Sequence, residues 1–478
     1  MLVVRSEFVK VFLAVAALVP AIGVVRSGSS SRIEWAELPP EIGEKSENVR
    51  FGWLVVPEDR EAGSGRELRL PFVILKCQGP APRPDPVLFM SGGPGGGSVS
   101  GFRGRLRHPI LEKRDLILLD QRGTGHSRPS LAAPEIDAVL RESIGGNLNN
   151  AVDSQRYRAA LEACLSRFQR EGVNLKAYTT TNSAADVADL RRLLGLREWN
   201  LYGISYSTKL MLTVLRDHPE GIRSIILDSP LPLQANWDVE AAGNVLSRLD
   251  ALFQSVSRAH PGLKARTLEL IKRADRAPLT VSVPDPYTNS PAVIRLTGFG
   301  VMDALYAGLE DTALIPRIPG LLERACSGDV QHGLAPLVAA MIQVPSYAWG
   351  MRFAVWMNEE VPFEDLVRTS RVTKGWPASL AKWRPANMPP EVLALWPKGK
   401  PDPIENVAVT SDVPVLIASG ELDPDTPPDY AKETARTLRR SKVISFPGFS
   451  HLPLFRHPGG AGIIVDFLDC PDASDHPL

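Results

Sequence analysis

The sequence predicts an α/β fold: a mostly parallel sheet with helices on both faces and a helical cap inserted after the sixth strand. Three observations carry this. Short apolar strands alternate with helical periodicity in two blocks, Val87 to Leu227 and Val413 to Leu468, as strands buried on both faces do. Within those blocks the strands run into polar loops, among them Ser91-Gly-Gly-Pro-Gly95, Asp120-Gln-Arg-Gly-Thr-Gly-His-Ser127 and Asp228-Ser-Pro. Between the blocks, from about Ala235 to the Pro-rich stretch Pro385 to Pro403, the pattern changes to mostly amphipathic helices.

The elements follow in order. Arg5 and Lys10 precede the apolar stretch Val11 to Val25, a layout expected of a secretory signal peptide over residues 1–23, cleaved after Gly23. The apolar run is short for a spanning helix, so a secreted, periplasmic or cell-envelope location is expected, with an uncleaved anchor as the alternative. Val49 to Val56 and Leu68 to Cys77 read as an antiparallel pair joined by Glu58 to Arg66. Val87 to Met90 and Asp115 to Leu119 are short buried strands. Helices are predicted at Ser154 to Glu171 and Ser183 to Leu196, the second with an Asn182/Ser183 cap. An elbow strand ending at Gly203-Ile204 leads into a helix at Lys209 to Arg216, and Ser224 to Leu227 is the sixth strand. After the insertion come a strand (Val413 to Ala418), a helix (Pro428 to Arg439), a strand (Lys442 to Ser445) and a last helix (Ala461 to Leu468). The expected division is 35–234 for the first part of the core, 235–404 for the cap and 405–478 for the second part of the core.

Bulk composition narrows the function. The 478 residues are 44% hydrophobic, enough for a large core, and Lys plus Arg equals Asp plus Glu at 54 each. With no long run of one sign, a nucleic-acid partner is not indicated, nor is a stable membrane partner unless the leader stays uncleaved. The four cysteines, Cys77, Cys164, Cys326 and Cys470, form no CxxC pair, which argues against structural zinc and permits either disulfides or free thiols.

The chemistry centres on Trp199 to Thr208, where a strand, a serine and a helix follow without a break. This is the layout of a nucleophile elbow exposing the hydroxyl of Ser205. Small residues are needed two places to either side; Gly203 satisfies that, and Ser207 stands where glycine is usual. A serine needs a base to take its proton and an acid to orient the base, in chain order Ser, acid, His at strand ends. Asp423 and His451 fall at those places. Rival acids are Asp228, Glu421 and Asp425, and rival histidines are His126 and His457. The developing oxyanion needs N–H donors, for which Tyr206 and Gly93 are the candidates. The acids Asp423, Asp425 and Asp429 match calcium-loop spacing only loosely, so no metal or organic cofactor is implied. The constellation points to a serine hydrolase.

These residues also resemble a known group. Ser91 to Gly95 looks like the HGGPG motif of prolyl aminopeptidases with Ser for His, and Asp120 to Ser127 is similar to their DQRGxGxS motif. Gly203 to Thr208 resembles GxSYGT, and Gly420 to Pro427 resembles the GxxDxxTP acid loop. The likeness runs from about Val49 to Cys470 and suits the secreted tripeptidyl aminopeptidase-like α/β-hydrolases best. It implies an α/β-hydrolase fold and removal of residues from free peptide N-termini, with carboxylates in the cap holding the substrate ammonium. Asn358 to Phe363 resembles the segment that carries such an acid, which makes Glu359 the first candidate and Glu360 the second. Met357 stands where relatives often have cysteine, implying that a cap disulfide common there is absent. Tyr347, Trp349, Phe353 and Trp356 are expected either to line an apolar acyl pocket or to pack the cap. The expected substrate is a small peptide, or a small ester if the chain is instead a carboxylesterase. A non-catalytic binding protein on the same fold is the remaining rival, and oligomeric state stays open.

Overall fold

The computed structural model describes residues 31–44, 46–61, 65–142, 151–342, 347–364 and 390–472, together with Trp376, Leu380 and Trp383. The predicted leader lies outside the described residues. The strands in chain order are β1 (Arg32–Ala36), β2 (Val49–Pro57), β3 (Glu67–Leu75), β4 (Val87–Met90), β5 (Leu116–Leu119), β6 (Trp199–Ile204), β7 (Ile222–Asp228), β8 (Leu279–Pro284), β9 (Pro291–Leu296), β10 (Val415–Gly420) and β11 (Ser441–Phe446). Nine of them form one sheet in the order β1-β2-β3-β5-β4-β6-β7-β10-β11. The first three pairings along it are antiparallel and the remaining five are parallel.

Alternation along the strands fills both faces. Leu54 and Val56 of β2, with Leu70, Phe72 and Ile74 of β3, enter one apolar core. Their neighbours Trp53, Val55, Val73 and Leu75 enter another on the opposite face. The helices preceding the insertion are α1 (Pro134–Glu142), α2 (Ala151–Arg170), α3 (Thr180–Leu193) and α4 (Tyr206–Asp217). The N-cap of α3 is Thr179, whose hydroxyl accepts from the Asn182 N–H at 3.2 Å, so the helix begins three residues before the predicted start.

The insertion between β7 and β10 begins with α5 (Trp237–Ser255), α6 (Leu263–Arg276), α7 (Gly298–Glu310), α8 (Ile318–Cys326), α9 (Val330–Met341) and α10 (Trp349–Val355), which continues as a π-turn over Trp356–Glu360. Much of it packs around its own core, including Leu249, Leu305, Ile318 and Leu337. Two expectations need correction. The insertion follows the seventh strand, because Arg32–Ala36 adds an edge strand that its short, half-exposed sequence did not announce. It also contains the antiparallel hairpin β8–β9, where alternation buries Val281 and Val283 and Asp285–Ser290 makes the turn. Part of the Pro-rich stretch predicted as a linker lies outside the described residues. Its described portion buries Val392, Leu393 and Trp396 in the main core. All four cysteines are free thiols.

Strand order positions the site. β4 pairs with β5 on one side and β6 on the other, so the chain changes direction across the sheet there. The loops after β4 and β6 therefore part around a crevice at the carboxyl edge, where open parallel sheets bind ligands.

Candidate active site

Ser205 follows β6 with φ 55° and ψ −129°, a conformation that a non-glycine residue adopts only under constraint. The constraint is visible on both sides. Its N–H donates to the Asp228 carbonyl at 2.9 Å, and its carbonyl accepts from the N–H and hydroxyl of Thr208 at 2.8 and 2.6 Å. Gly203 has no room for a side chain, since a methyl group there would meet the Ser207 carbonyl at 2.7 Å. Ser207 is fully buried and replaces the usual glycine with a working hydroxyl, which donates to the Met90 carbonyl at 2.6 Å and accepts from the Ile204 N–H at 2.7 Å.

The glycine-rich loop after β4 lies against this elbow. A methyl group on Gly92 would sit 2.7 Å from Ser205 Cβ and 3.1 Å from the Tyr206 nitrogen. The Gly92 carbonyl accepts from Gly96 N–H at 3.0 Å, and because a peptide unit is planar and trans, the Gly93 N–H faces the opposite way. Tyr206 is the first residue of α4, so its N–H has no partner within the helix. The Asp120 motif holds this loop: its carboxylate accepts from the N–H groups of Ser98, Val99 and His126 at 2.6, 2.8 and 2.9 Å. Arg122 is wholly buried and chelates Asp186 of α3 while donating to the carbonyls of Glu58 and Ala177.

Asp423 and His451 are brought together. His451 Nδ1 lies 2.8 Å from Asp423 Oδ2, and the Asp423 side chain is fully buried. That carboxylate also accepts from the N–H groups of Asp425 and Thr426 and from the hydroxyls of Thr426 and Ser229. Burial opposes its charge, but His451 and these donors hold its pKa below the ordinary value. For His451 burial again opposes the charge, while Asp423, with Asp425 and Glu310 beyond it, lifts the pKa to about 9. The rivals are engaged elsewhere. Asp228 accepts from the N–H groups of Leu454 and Phe455, and burial raises its pKa to about 7. His457 lies against Phe446 and Phe449, and His126 reaches Asp120 through its backbone N–H.

Glu359 and Glu360, expected to hold a substrate ammonium, are 4% exposed and internally paired. Glu360 binds Lys209 of α4 at 2.6 Å; Glu359 accepts from the N–H and hydroxyl of Thr180 at 2.5 and 2.6 Å. Burial lifts the Glu359 pKa to about 7 against the pull of Lys209. Through these bonds the two carboxyls tie the insertion to α3 and α4. Two further carboxyls act on His451: Asp425, named from the sequence as a rival orienting acid, which accepts from Tyr306 at 2.7 Å, and Glu310, not singled out in the sequence and pushed well above its ordinary pKa by burial and by Asp425. Among the described residues, Asp423, Asp425 and His451 are a trio able to hold a metal, with ligand atoms within 4.8 Å of one another. The bonds already made by Asp423 and His451 occupy much of that donor set. Of the aromatic set, Trp356 stacks on Trp237, Trp349 donates to Asp137, and Phe353 packs against Trp396 in the core.

Fold and site together define an α/β hydrolase. A family model described as the alpha/beta hydrolase fold matches residues 85–280, and one described as TAP-like protein matches residues 387–471. The chain has the alpha/beta hydrolase fold and is similar to tripeptidyl aminopeptidases and proline iminopeptidases. The tripeptidyl aminopeptidase of Streptomyces lividans is 24% identical over 439 residues, covering 83% of this chain and 76% of that one. The proline iminopeptidase of Neisseria meningitidis is 25% identical over 161 residues, 33% of this chain and 37% of the relative. The solved proline iminopeptidase of Mycobacterium smegmatis aligns with 88% of this chain and 98% of its own at 15% identity, with a TM-score of 0.43.

Proposed function

We propose that this chain is a serine peptidase that removes N-terminal residues from short peptides. Ser205 is the nucleophile, His451 the base and Asp423 the group that orients it. The observation that carries the reading is the Asp423–His451 pair at 2.8 Å, on loops of the same sheet edge that displays the strained Ser205. With Nδ1 turned to Asp423, Nε2 of His451 is the nitrogen left for the serine. Ser205 Oγ adds to the substrate carbonyl carbon as its proton passes to His451. The carbon–nitrogen bond then breaks as that proton moves to the departing amine, leaving an ester on Ser205. Water, deprotonated by His451, splits this ester, and the proton returns to Ser205. The N–H groups of Gly93 and Tyr206 receive the oxyanion in both steps.

A free substrate amine is favoured by acidic surroundings. Asp425 and Glu310 bring two carboxyl groups to the neighbourhood of His451; burial and the neighbouring acid favour the neutral form of Glu310, so an ammonium there meets one carboxylate charge and one neutral acceptor. The peptidase names of the relatives point the same way. Export through the leader is part of the reading and rests on the sequence alone; N-terminal sequencing of the mature protein tests it.

Turnover of aminoacyl anilides, their N-acetylated forms and a short-chain nitrophenyl ester, by wild type and Ser205→Ala, decides the matter. The expected result is anilide cleavage that acetylation and Ser205→Ala both abolish. Fast ester turnover with no anilide cleavage means a carboxylesterase, and indifference to acetylation removes the amine anchor. A fluorophosphonate that labels wild type and Ser205→Ala equally, or neither, ends the mechanism.

A further inference from the structure

Arg352 of α10 is a cation buried in an unusual setting. It is 8% exposed, and among the described residues it makes no ion pair with a carboxylate. Its guanidinium instead faces aromatic rings: Trp356 at 4.2 Å from guanidinium carbon to ring centroid, Trp237 and Tyr347 at 5.7 Å, and Trp349 at 5.9 Å. One arm, Nη1, reaches out of this box and donates to the Gly93 carbonyl at 2.9 Å. Nε is buried without a partner among the described residues.

Burying a guanidinium is expensive, and an apolar side chain of similar volume would fill the same space at less cost. The aromatic faces offset part of that cost by attraction to the cation and hold the planar group in a fixed orientation. What the cation touches is therefore the informative part. Gly93 has φ +125°, a conformation open to glycine and little else. A flexible residue in such a conformation must be held to keep its N–H aimed. The peptide before Gly93 is held by Gly96 N–H on the Gly92 carbonyl, and the peptide after it by Arg352. The same helix grips the loop once more, through Ala348 N–H on the Gly95 carbonyl at 3.0 Å.

We propose that Arg352 is a positioning residue for the oxyanion hole: it locks the Gly93 peptide from the insertion side and adds its positive charge to the field there. This rests on Gly93 serving as an oxyanion donor to the Ser205 adduct, and it makes the insertion a part of the catalytic apparatus rather than a lid alone.

The test compares wild type, Arg352→Met and Arg352→Lys in anilide hydrolysis and in binding of a peptidyl aldehyde, whose adduct with Ser205 carries the oxyanion. Removing a direct oxyanion donor costs about 100- to 1000-fold in kcat. For a residue acting through one, kcat is expected to fall about 10- to 100-fold in Arg352→Met, with KM within about 3-fold. Aldehyde affinity should fall in proportion to kcat, while affinity for the product peptide holds. Arg352→Lys, which keeps the charge but not the planar fork, should fall between the two and gives the decision if the methionine variant does not fold. Guanidinium ion added to Arg352→Ala should restore part of the lost rate.

The proposal is overturned if kcat and aldehyde affinity match wild type in folded Arg352→Met, or in Arg352→Lys where that variant alone folds. Equal losses in aldehyde and product affinity also overturn it, since they mean ordinary binding. Failure of fluorophosphonate to label Ser205 in wild type marks a different fault, that of the underlying hydrolase reading, and is separable because it does not involve Arg352.

Discussion

The Ser207 hydroxyl donates to the Met90 carbonyl at 2.6 Å and accepts the Ile204 N–H at 2.7 Å, so one side chain joins the end of β4 to the elbow after β6. Ser207→Ala leaves a buried carbonyl and a buried N–H without this partner. A loss of about 1–3 kcal/mol in urea denaturation is expected, from the desolvation of unpaired polar groups. Ser207→Gly should lose as much or more, because it also loosens α4. A variant as stable as wild type would mean that the hydroxyl merely fills space.

The pH dependence follows from His451. As a base it works only when neutral, and its pKa is lifted to about 9 in the free protein. The value of kcat/KM should therefore rise with pH through the mildly alkaline range and fall away as pH drops below that pKa. Asp425→Asn removes a negative charge that favours the imidazolium, so the rising limb should move to lower pH; Glu310→Gln, at a carboxyl whose neutral form burial favours, should move it the same way by less. A limb centred below pH 7 in wild type, or unmoved in both variants, contradicts the electrostatics described for this site.

Asp423 and Asp228 are separated by substitution. Asp423→Asn should lower kcat about 10,000-fold, as when the orienting acid of such a triad is neutralised. Asp228→Asn should leave kcat within about tenfold and lower the melting temperature instead, since its carboxylate supports the N–H groups of Leu454 and Phe455. The reverse pattern would make Asp228 the orienting acid.

The Lys209–Glu360 pair is buried on both sides, at 3% and 4% exposure. Lys209→Met leaves Glu360 without its cation and should destabilise the protein by about 3–5 kcal/mol. The double variant Lys209→Met with Glu360→Met should regain most of that loss, because no buried charge is then stranded. A thermal-denaturation double-mutant cycle measures this coupling, and simple additivity would mean that the pair contributes nothing specific.

Residues with a strong local signature were legible in the sequence. The strands of the parallel region show as short apolar runs; Ser205 follows one directly, and Asp423 and His451 sit on the loops that leave two others. Edge strand β1 was not, since a strand with one partner and half-exposed side chains carries little apolar signal. Arg352 and Glu310 read as ordinary helix charges, because what makes them matter lies far away: Gly93 is 259 positions from Arg352. The same kind of distance hides the surroundings of Glu359 and Glu360. The sequence marks them as acids in the right segment, and nothing nearby reveals that Lys209, 151 positions from Glu360, already takes its carboxylate.

The direct pairing of β7 with β10 has a consequence for how such proteins diversify. Ile225 stands opposite Val415 and Asp228 opposite Ala418, so the chain leaves the sheet and returns to the adjacent lane, about 4.8 Å away. To the sheet, everything from residue 229 to 414 is one detour with a fixed entrance and a fixed exit. Its content can be exchanged by recombination without re-registering a strand, provided each newcomer brings its own grip on the Gly93 turn. Transplanting the insertion of a relative onto these two anchor strands is thus a direct route to new substrate selectivity, with Arg352 the residue to carry across.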